Sequence, residues 1–219
     1  MAYILCIETS TTNCSVALIK DGEVVVSKED YDTKYSHAER LHQFINIVIR
    51  EAGIAFKDLD AVSVSKGPGS YTGLRIGVST AKGLCYGLNI PLISVDTLHS
   101  LALQVKAKEG FVVPMIDARR MEVYSAIFSN TYKQLRSTEA EVLTEASYET
   151  YLQKNKVYFI GNGVAKFAEI NSHKNAEFIS DKLPSAIEMA TVSYTKFSEN
   201  DFENVSYFEP YYLKDFVTG

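Results

Sequence analysis

The chain opens on an unbroken apolar run, Ile4-Leu5-Cys6-Ile7, and after a polar stretch from Glu8 to Asn13 a second follows, Ser15-Val16-Ala17-Leu18-Ile19. Apolar runs of this length, bounded by turn residues, predict strands buried on both faces. Asp21-Gly22 predicts a tight hairpin, because its turn needs positive φ, and Val24-Val25-Val26 then predicts the third strand of a meander. Ser36-x-x-Glu39 reads as a capping box, and Leu41, Phe44, Ile45, Val48, Ile49 and Ala52 recur at helical spacing up to Gly53, so a helix with one buried face is expected over residues 36–51. A strand at 61–65, a glycine-rich loop, a helix at 71–86, a strand at 92–95 and a helix opened by Asp96 complete the order βββαβαβα.

After the polar segment Lys106-Ala107-Lys108-Glu109-Gly110 the order recurs. Strands are expected at 112–116, at 122–128 and around Leu135, then a helix at 144–153, a strand at 157–160, a Gly161-Asn162-Gly163 turn into a helix, a short strand at Phe178-Ile179 and a helix from Pro184. The repeat is one of elements, not of residues. Two such halves imply an α/β chain with two mixed sheets and a cleft between them, the actin-like ATPase (ribonuclease H-like) fold. The expected division is an N-terminal lobe at 1–105 and a C-terminal lobe with its tail at 106–219. Fold does not give function, which has to come from sites.

Composition narrows the classes. With 219 residues, 46% hydrophobic and 22% charged, the chain can bury a core and is neither disordered nor fibrous. Lys and Arg total 22 against 27 Asp and Glu, a net charge of −5 that gives no general attraction to phosphate backbones or anionic membranes. Any nucleic acid is expected to enter through a partner. Three cysteines, Cys6, Cys14 and Cys85, make no Cys-x-x-Cys pair and no disulfide framework, which points to a reduced, cytoplasmic setting. No apolar run approaches the roughly 18 residues of a membrane helix, and no basic leader precedes the first strand.

The most informative segment is Lys66-Gly67-Pro68-Gly69-Ser70-Tyr71-Thr72-Gly73-Leu74-Arg75-Ile76-Gly77. It is not a P-loop, having no closing Gly-Lys-Ser/Thr, and its glycines do not follow the dinucleotide spacing. Gly73, Gly77 and Ala81 recur every fourth residue, which leaves a groove for another helix, of this chain or of a second subunit. Arg75 and Lys82 are the only charges on that helix, and Ile47 on the preceding helix lies off its apolar stripe. His37 and His42 stand about 140° apart around a helix and cannot grip one ion; His99 and His173 have no ligand-type neighbours at helical spacing. Ser70 lacks the Gly-x-Ser-x-Gly elbow and reads as a helix cap. Glu8 and Asp117 end the first strand of each half, where actin-like enzymes keep carboxylates, yet the glycine that lets a hairpin approach phosphate is absent. Both are therefore expected to brace the chain, with a small ATPase or kinase using them as the alternative.

Ile7-Glu8-Thr9-Ser10, the segment Gly67 through Gly77, Asp117-Ala118-Arg119 with Glu122-Val123-Tyr124, and Pro210-x-Tyr212-Leu213-Lys214 together resemble the bacterial TsaB (YeaZ) family, with Lys214 standing where Arg is more usual. The resemblance implies a non-catalytic platform for threonylcarbamoylation of the adenosine beside the anticodon in tRNAs reading ANN codons. It implies pairing with TsaD, assembly with TsaE, a homodimer when alone, and contact with tRNA only through the complex. No metal or cofactor is expected on this chain alone, and a nucleotide could sit at the joint with TsaD. The paralogue's two metal-binding histidines match Thr97 and Leu101 here, which are poor ligands. The family pairs through its first two helices, so the expected interface is Ile47, Tyr71, Gly73, Leu74, Gly77, Val78, Ala81 and Leu84, and a bulky residue at Gly77 is expected to block pairing while the monomer still folds. A third reading, the glycoprotease label given to relatives, finds no motif in the chain.

Overall fold

The computed structural model describes residues 1–31 and 37–214. Its contacts fall into two compact units, Met1–Thr97 with Pro184–Gly219, and Leu98–Leu183.

In the first unit, β1 (Tyr3–Glu8), β2 (Cys14–Lys20), β3 (Glu23–Asp30), β4 (Ala61–Ser65) and β5 (Leu92–Val95) form a sheet of order β3-β2-β1-β4-β5. β1 runs antiparallel to β2, with Ile4 opposite Ile19, and parallel to β4, with Ile4 opposite Ala61. The hairpin between β2 and β3 turns on Asp21 and Gly22, both at positive φ, as the Asp-Gly pair predicts. Alternation sends Leu5, Ile7, Val62 and Val64 to one face, where α1 (His37–Glu51) and α2 (Tyr71–Leu88) cover them with Leu41, Ile45, Val48, Val78, Ala81 and Cys85. Ile4, Cys6, Ile93 and Val95 face the other way and are covered by Ala186, Met189 and Ala190. Two covered faces explain why β1 reads as a continuous apolar run. α1 ends at Gly53 with φ of +70°, as expected, while Ser36 of the expected capping box lies outside the described residues.

The second unit repeats the plan. β6 (Phe111–Asp117), β7 (Glu122–Ser129), β8 (Gln134–Val142), β9 (Val157–Ile160) and β10 (Ala176–Ile179) form a sheet of order β10-β9-β6-β7-β8, the same meander and parallel pair as the first. Val113, Met115, Phe159 and Phe167 lie on one face, and Leu101, Val112, Ile116 and Ile160 on the other. α3 (Thr97–Ala102), α4 (Glu149–Leu152), α5 (Val164–Ala168) and α6 (Ala190–Ser198) complete βββαβαβα twice.

Three expectations shift. The helix placed at 144–153 is helical only over α4, since Tyr148 sits at φ of 62° and breaks the turn before it. The helix placed from Pro184 begins at Ala190. The tail also groups differently from the expected division at 105 and 106, because residues 184–198 roof the first sheet. Ser193 Oγ donates to Ser63 Oγ of β4 at 2.7 Å, and Met189 is fully buried against β1 and β5. Met189→Ala should therefore lower unfolding stability by about 2–4 kcal/mol, read from a urea melt; an unchanged midpoint would remove α6 and its approach from the first core.

Candidate functional site

Ser70 caps α2 as the sequence predicts, its Oγ accepting from Gly73 N at 3.3 Å. The start of that helix is pressed against the turn after β1. Ser70 N donates to Ser10 O at 2.6 Å, and Thr9 Oγ1 donates to Gly73 O at 2.8 Å. A Cβ at Gly69 would collide with Ser10 O, one at Gly73 with Thr9 O, and one at Gly77 with Thr9 Oγ1. The Gly73, Gly77, Ala81 stripe therefore faces inward and is used by the chain's own β1 turn. Leu74 and Val78 are likewise core residues, 1% and 3% exposed. This corrects the expected interface at Gly73, Leu74, Gly77, Val78 and Ala81, and a bulky residue at 77 would disturb the fold itself.

Another strip of α2 remains open. Ser79, Thr80, Gly83 and Leu84, with His42, Ile45 and Asn46 of α1 and Phe56, line a groove of about 440 Å³. Among the described residues, nothing beyond its chain neighbours and the helix's own backbone lies within 4 Å of a Cβ at Gly83. Leu84 lines this groove and is half-buried, and Ile47 is partly exposed on α1, outside the apolar clusters. Tyr71 is taken up differently: its ring packs on Tyr212 at 4.8 Å and under the Arg75 guanidinium at 4.3 Å. The tail that carries Tyr212 straps the flank of α2, with Tyr211 N donating to Lys66 O at 2.7 Å and Lys82 Nζ to Phe208 O at 2.8 Å. The sequence signal for the open strip was present in Gly83 and Gly87, four apart on a face distinct from the inward stripe.

The two carboxylates have diverged. Glu8 is fully buried, one oxygen accepting from Ser10 N at 2.6 Å and the other unpartnered among the described residues, as are the hydroxyls of Ser10 and Ser65. Burial pushes its carboxyl up from the ordinary 4.5, against the opposing pull of the hydrogen bond from Ser10 N. Asp117, by contrast, is accessible and latched: Lys166 Nζ donates to its Oδ1 at 2.6 Å, and Arg119 N to the same oxygen at 2.7 Å. Thr97 is buried and its hydroxyl accepts from Gly67 N at 3.1 Å, so it holds the glycine-rich loop. Leu101 is fully buried in an apolar cluster. Neither is a His, Cys, Asp or Glu side chain, and among the described residues no three such side chains converge. All three cysteines are buried and free, with burial pushing Cys6 up to about 12 and Cys14 and Cys85 to about 11. No helix among the described residues is long and apolar enough to cross a membrane.

The family model for TsaD, tRNA N6-adenosine threonylcarbamoyltransferase, matches residues 30–216. The tRNA threonylcarbamoyladenosine biosynthesis protein TsaB of Escherichia coli K12 is 31% identical over 222 residues, covering 98% of this chain and 95% of its own. The chain belongs to the TsaB family. A Pseudomonas aeruginosa protein with similarity to the peptidase YEAZ superposes with a TM-score of 0.86 at 25% identity, covering 98% of this chain and all of that one. An activator of 2-hydroxyisocaproyl-CoA dehydratase from Clostridium difficile, solved with ADPNP, reaches a TM-score of 0.50 at 11% identity over 93% of this chain and 98% of its own, a likeness of fold alone. The TsaB-family chain therefore has the actin-like ATPase fold.

Two consequences are measurable. Gly73→Ala should cost more than about 2 kcal/mol of stability, because its clash is with backbone, whereas Gly83→Ala should add about 0.5–1 kcal/mol by raising helix propensity in open space; equal melting temperatures for the pair would contradict the inward stripe. Glu8 binds its proton more tightly folded than unfolded, so its contribution to stability is fully present below the unfolded value of 4.5 and declines as pH rises from there towards the folded value. Glu8→Gln should match the parent near pH 4 and melt higher at neutral pH; a gap that widens towards acid would reverse the sign.

Proposed function

We propose that this TsaB-family chain is the non-catalytic subunit that supports threonylcarbamoylation of tRNAs reading ANN codons, by pairing with TsaD and assembling with TsaE in the cytoplasm. The observation that carries the reading is the open groove between α1 and α2, with Ile45, Phe56 and Leu84 in its walls and no acidic side chain among its lining residues. A groove of this kind takes a helix from a second subunit. The same face serves a homodimer when TsaD is missing.

The absence of catalysis is supported by what has become of the enzyme positions. Glu8 is dry and held towards protonation, and Asp117 is tied to Lys166. Ser70 is committed as a helix cap, so a peptidase nucleophile finds no support there either. The amides of Ser70, Gly73 and Leu74 at the start of α2 bond to Ser10 O, Ser70 Oγ and Ser70 O, so these three donors are engaged within the chain. A nucleotide in the complex would sit at the joint with TsaD, and tRNA would be bound by the assembly.

Gly83→Arg tests the surface directly. The open space at that position lets the monomer fold, so its melting temperature should stay within about 1 kcal/mol of the parent in stability, while co-elution with the same organism's TsaD on a sizing column should be lost. A folded variant that still pairs would refute docking at the groove.

A further inference from the structure

The turn between β6 and β7 is built unlike any other in the second unit. Arg119 and Arg120 are consecutive, exposed, and both left-handed, with φ of 73° and 49°. Glycine or asparagine adopts that backbone at little cost; two arginines do so against their preference. The turn is held by a half-buried lysine. Lys166 Nζ, on a side chain 15% exposed, donates to Asp117 Oδ1 at 2.6 Å, Arg120 O at 2.7 Å and Glu122 O at 2.8 Å. Arg119 N adds a bond to Asp117 Oδ1 at 2.7 Å, and Asn162 Oδ1 accepts from Asp117 N at 3.0 Å.

The latch has an electrostatic result. Two acids flank the arginines, Asp117 two residues before Arg119 and Glu122 two residues after Arg120, and the charge of Asp117 is already met by Lys166. Neither guanidinium has an ion pair or hydrogen bond among the described residues, and the Asn162 amide NH2 is equally uncommitted. A rigid pair of free guanidiniums with an amide donor at its base, on a chain of net charge −5, is a local exception to an acidic surface. Its donors suit oxyanions, and two adjacent forks suit neighbouring phosphates better than one small anion.

Resting on the function proposed above, we infer that Arg119 and Arg120 form an RNA backbone contact, through which this subunit grips phosphates of the tRNA held by the complex. Such contacts position the RNA without reading its sequence, and each phosphate neutralised adds to the salt dependence of binding.

The test uses the complex of this chain with its TsaD and an unmodified tRNA transcript, with affinity measured by filter binding across a salt series. Arg119→Asn with Arg120→Gly supplies residues suited to left-handed backbone, so the variant should melt at or above the parent temperature and still pair with TsaD. Its tRNA affinity should fall, and the slope of log K against log salt should flatten by about 1 to 2. Arg119→Lys with Arg120→Lys should retain most of the slope, since the charges remain. Parental affinity and slope in a folded, paired Asn-Gly variant would overturn the inference while leaving the proposed function standing. So would weakened ATP binding with an unaltered tRNA slope, which would assign the anion to a nucleotide. If the parent chain fails to pair with TsaD at all, both readings fall together, and the sizing column shows that before any RNA is added.

Discussion

The contact between the turn after β1 and the first two turns of α2 governs what the rest of the first unit can do. The carbonyls of Ser10 and Thr9 and the Thr9 hydroxyl approach so closely that only hydrogen fits at Gly69, Gly73 and Gly77 respectively. The start of the helix is thereby engaged by the chain's own oxygen atoms, with Ser70 N donating to Ser10 O. The same contact fixes the rotation of α2 about its axis. With the 73, 77, 81 stripe turned inward, Ser79 and Gly83 face outward, while Thr80 and Leu84 stay half-buried at the edge of the core. One local packing decision thus commits one face of α2 to the chain's own core and leaves another open.

Much of the architecture was legible because it rests on local signals that agree with one another. Central strands buried on both faces give runs such as Ile4 to Ile7, hairpin chemistry gives Asp21-Gly22, and the cap at Ser70 needs only its own sequence neighbours. The helix near 150 and the one after Pro184 were harder. α4 has only four residues, and a positive φ at Tyr148 is a tertiary outcome that no periodicity records. α6 was expected in the second half because it comes last in the chain, whereas its burial pattern answers to β1 and β5.

The site was less legible than the fold, for a physical reason. A small-residue stripe announces that something packs closely, but not whether the neighbour is the same chain. Gly73 and Gly77 serve an internal contact, and Gly83, with open space around it, does not. Distinguishing them required knowing where Thr9 lies, a separation of more than sixty residues that spacing along one helix cannot encode. The tail was opaque in the same way: Pro210-x-Tyr212 was visible as a motif, yet its work as a strap depends on Arg75, Tyr71 and Lys66 being aligned by α2 and β4.

Glu8 and Asp117, at the ends of the matching strands β1 and β6, are engaged in opposite ways. A carboxylate acts on a nucleotide or a water only when it is ionised, reachable and not otherwise engaged. Glu8 remains at the strand end but is sealed from solvent, where burial favours the neutral acid. Asp117 remains accessible, yet Lys166 and the Arg119 amide spend its lone pairs on the shape of a turn. The bonds that Asp117 Oδ1 accepts from Lys166 Nζ and Arg119 N also shape the turn that carries Arg119 and Arg120 at the surface. Removing the carboxylate would take both bonds from the turn and leave Lys166 only the carbonyls of Arg120 and Glu122, so the side chain has a structural reason to stay that is independent of any ligand.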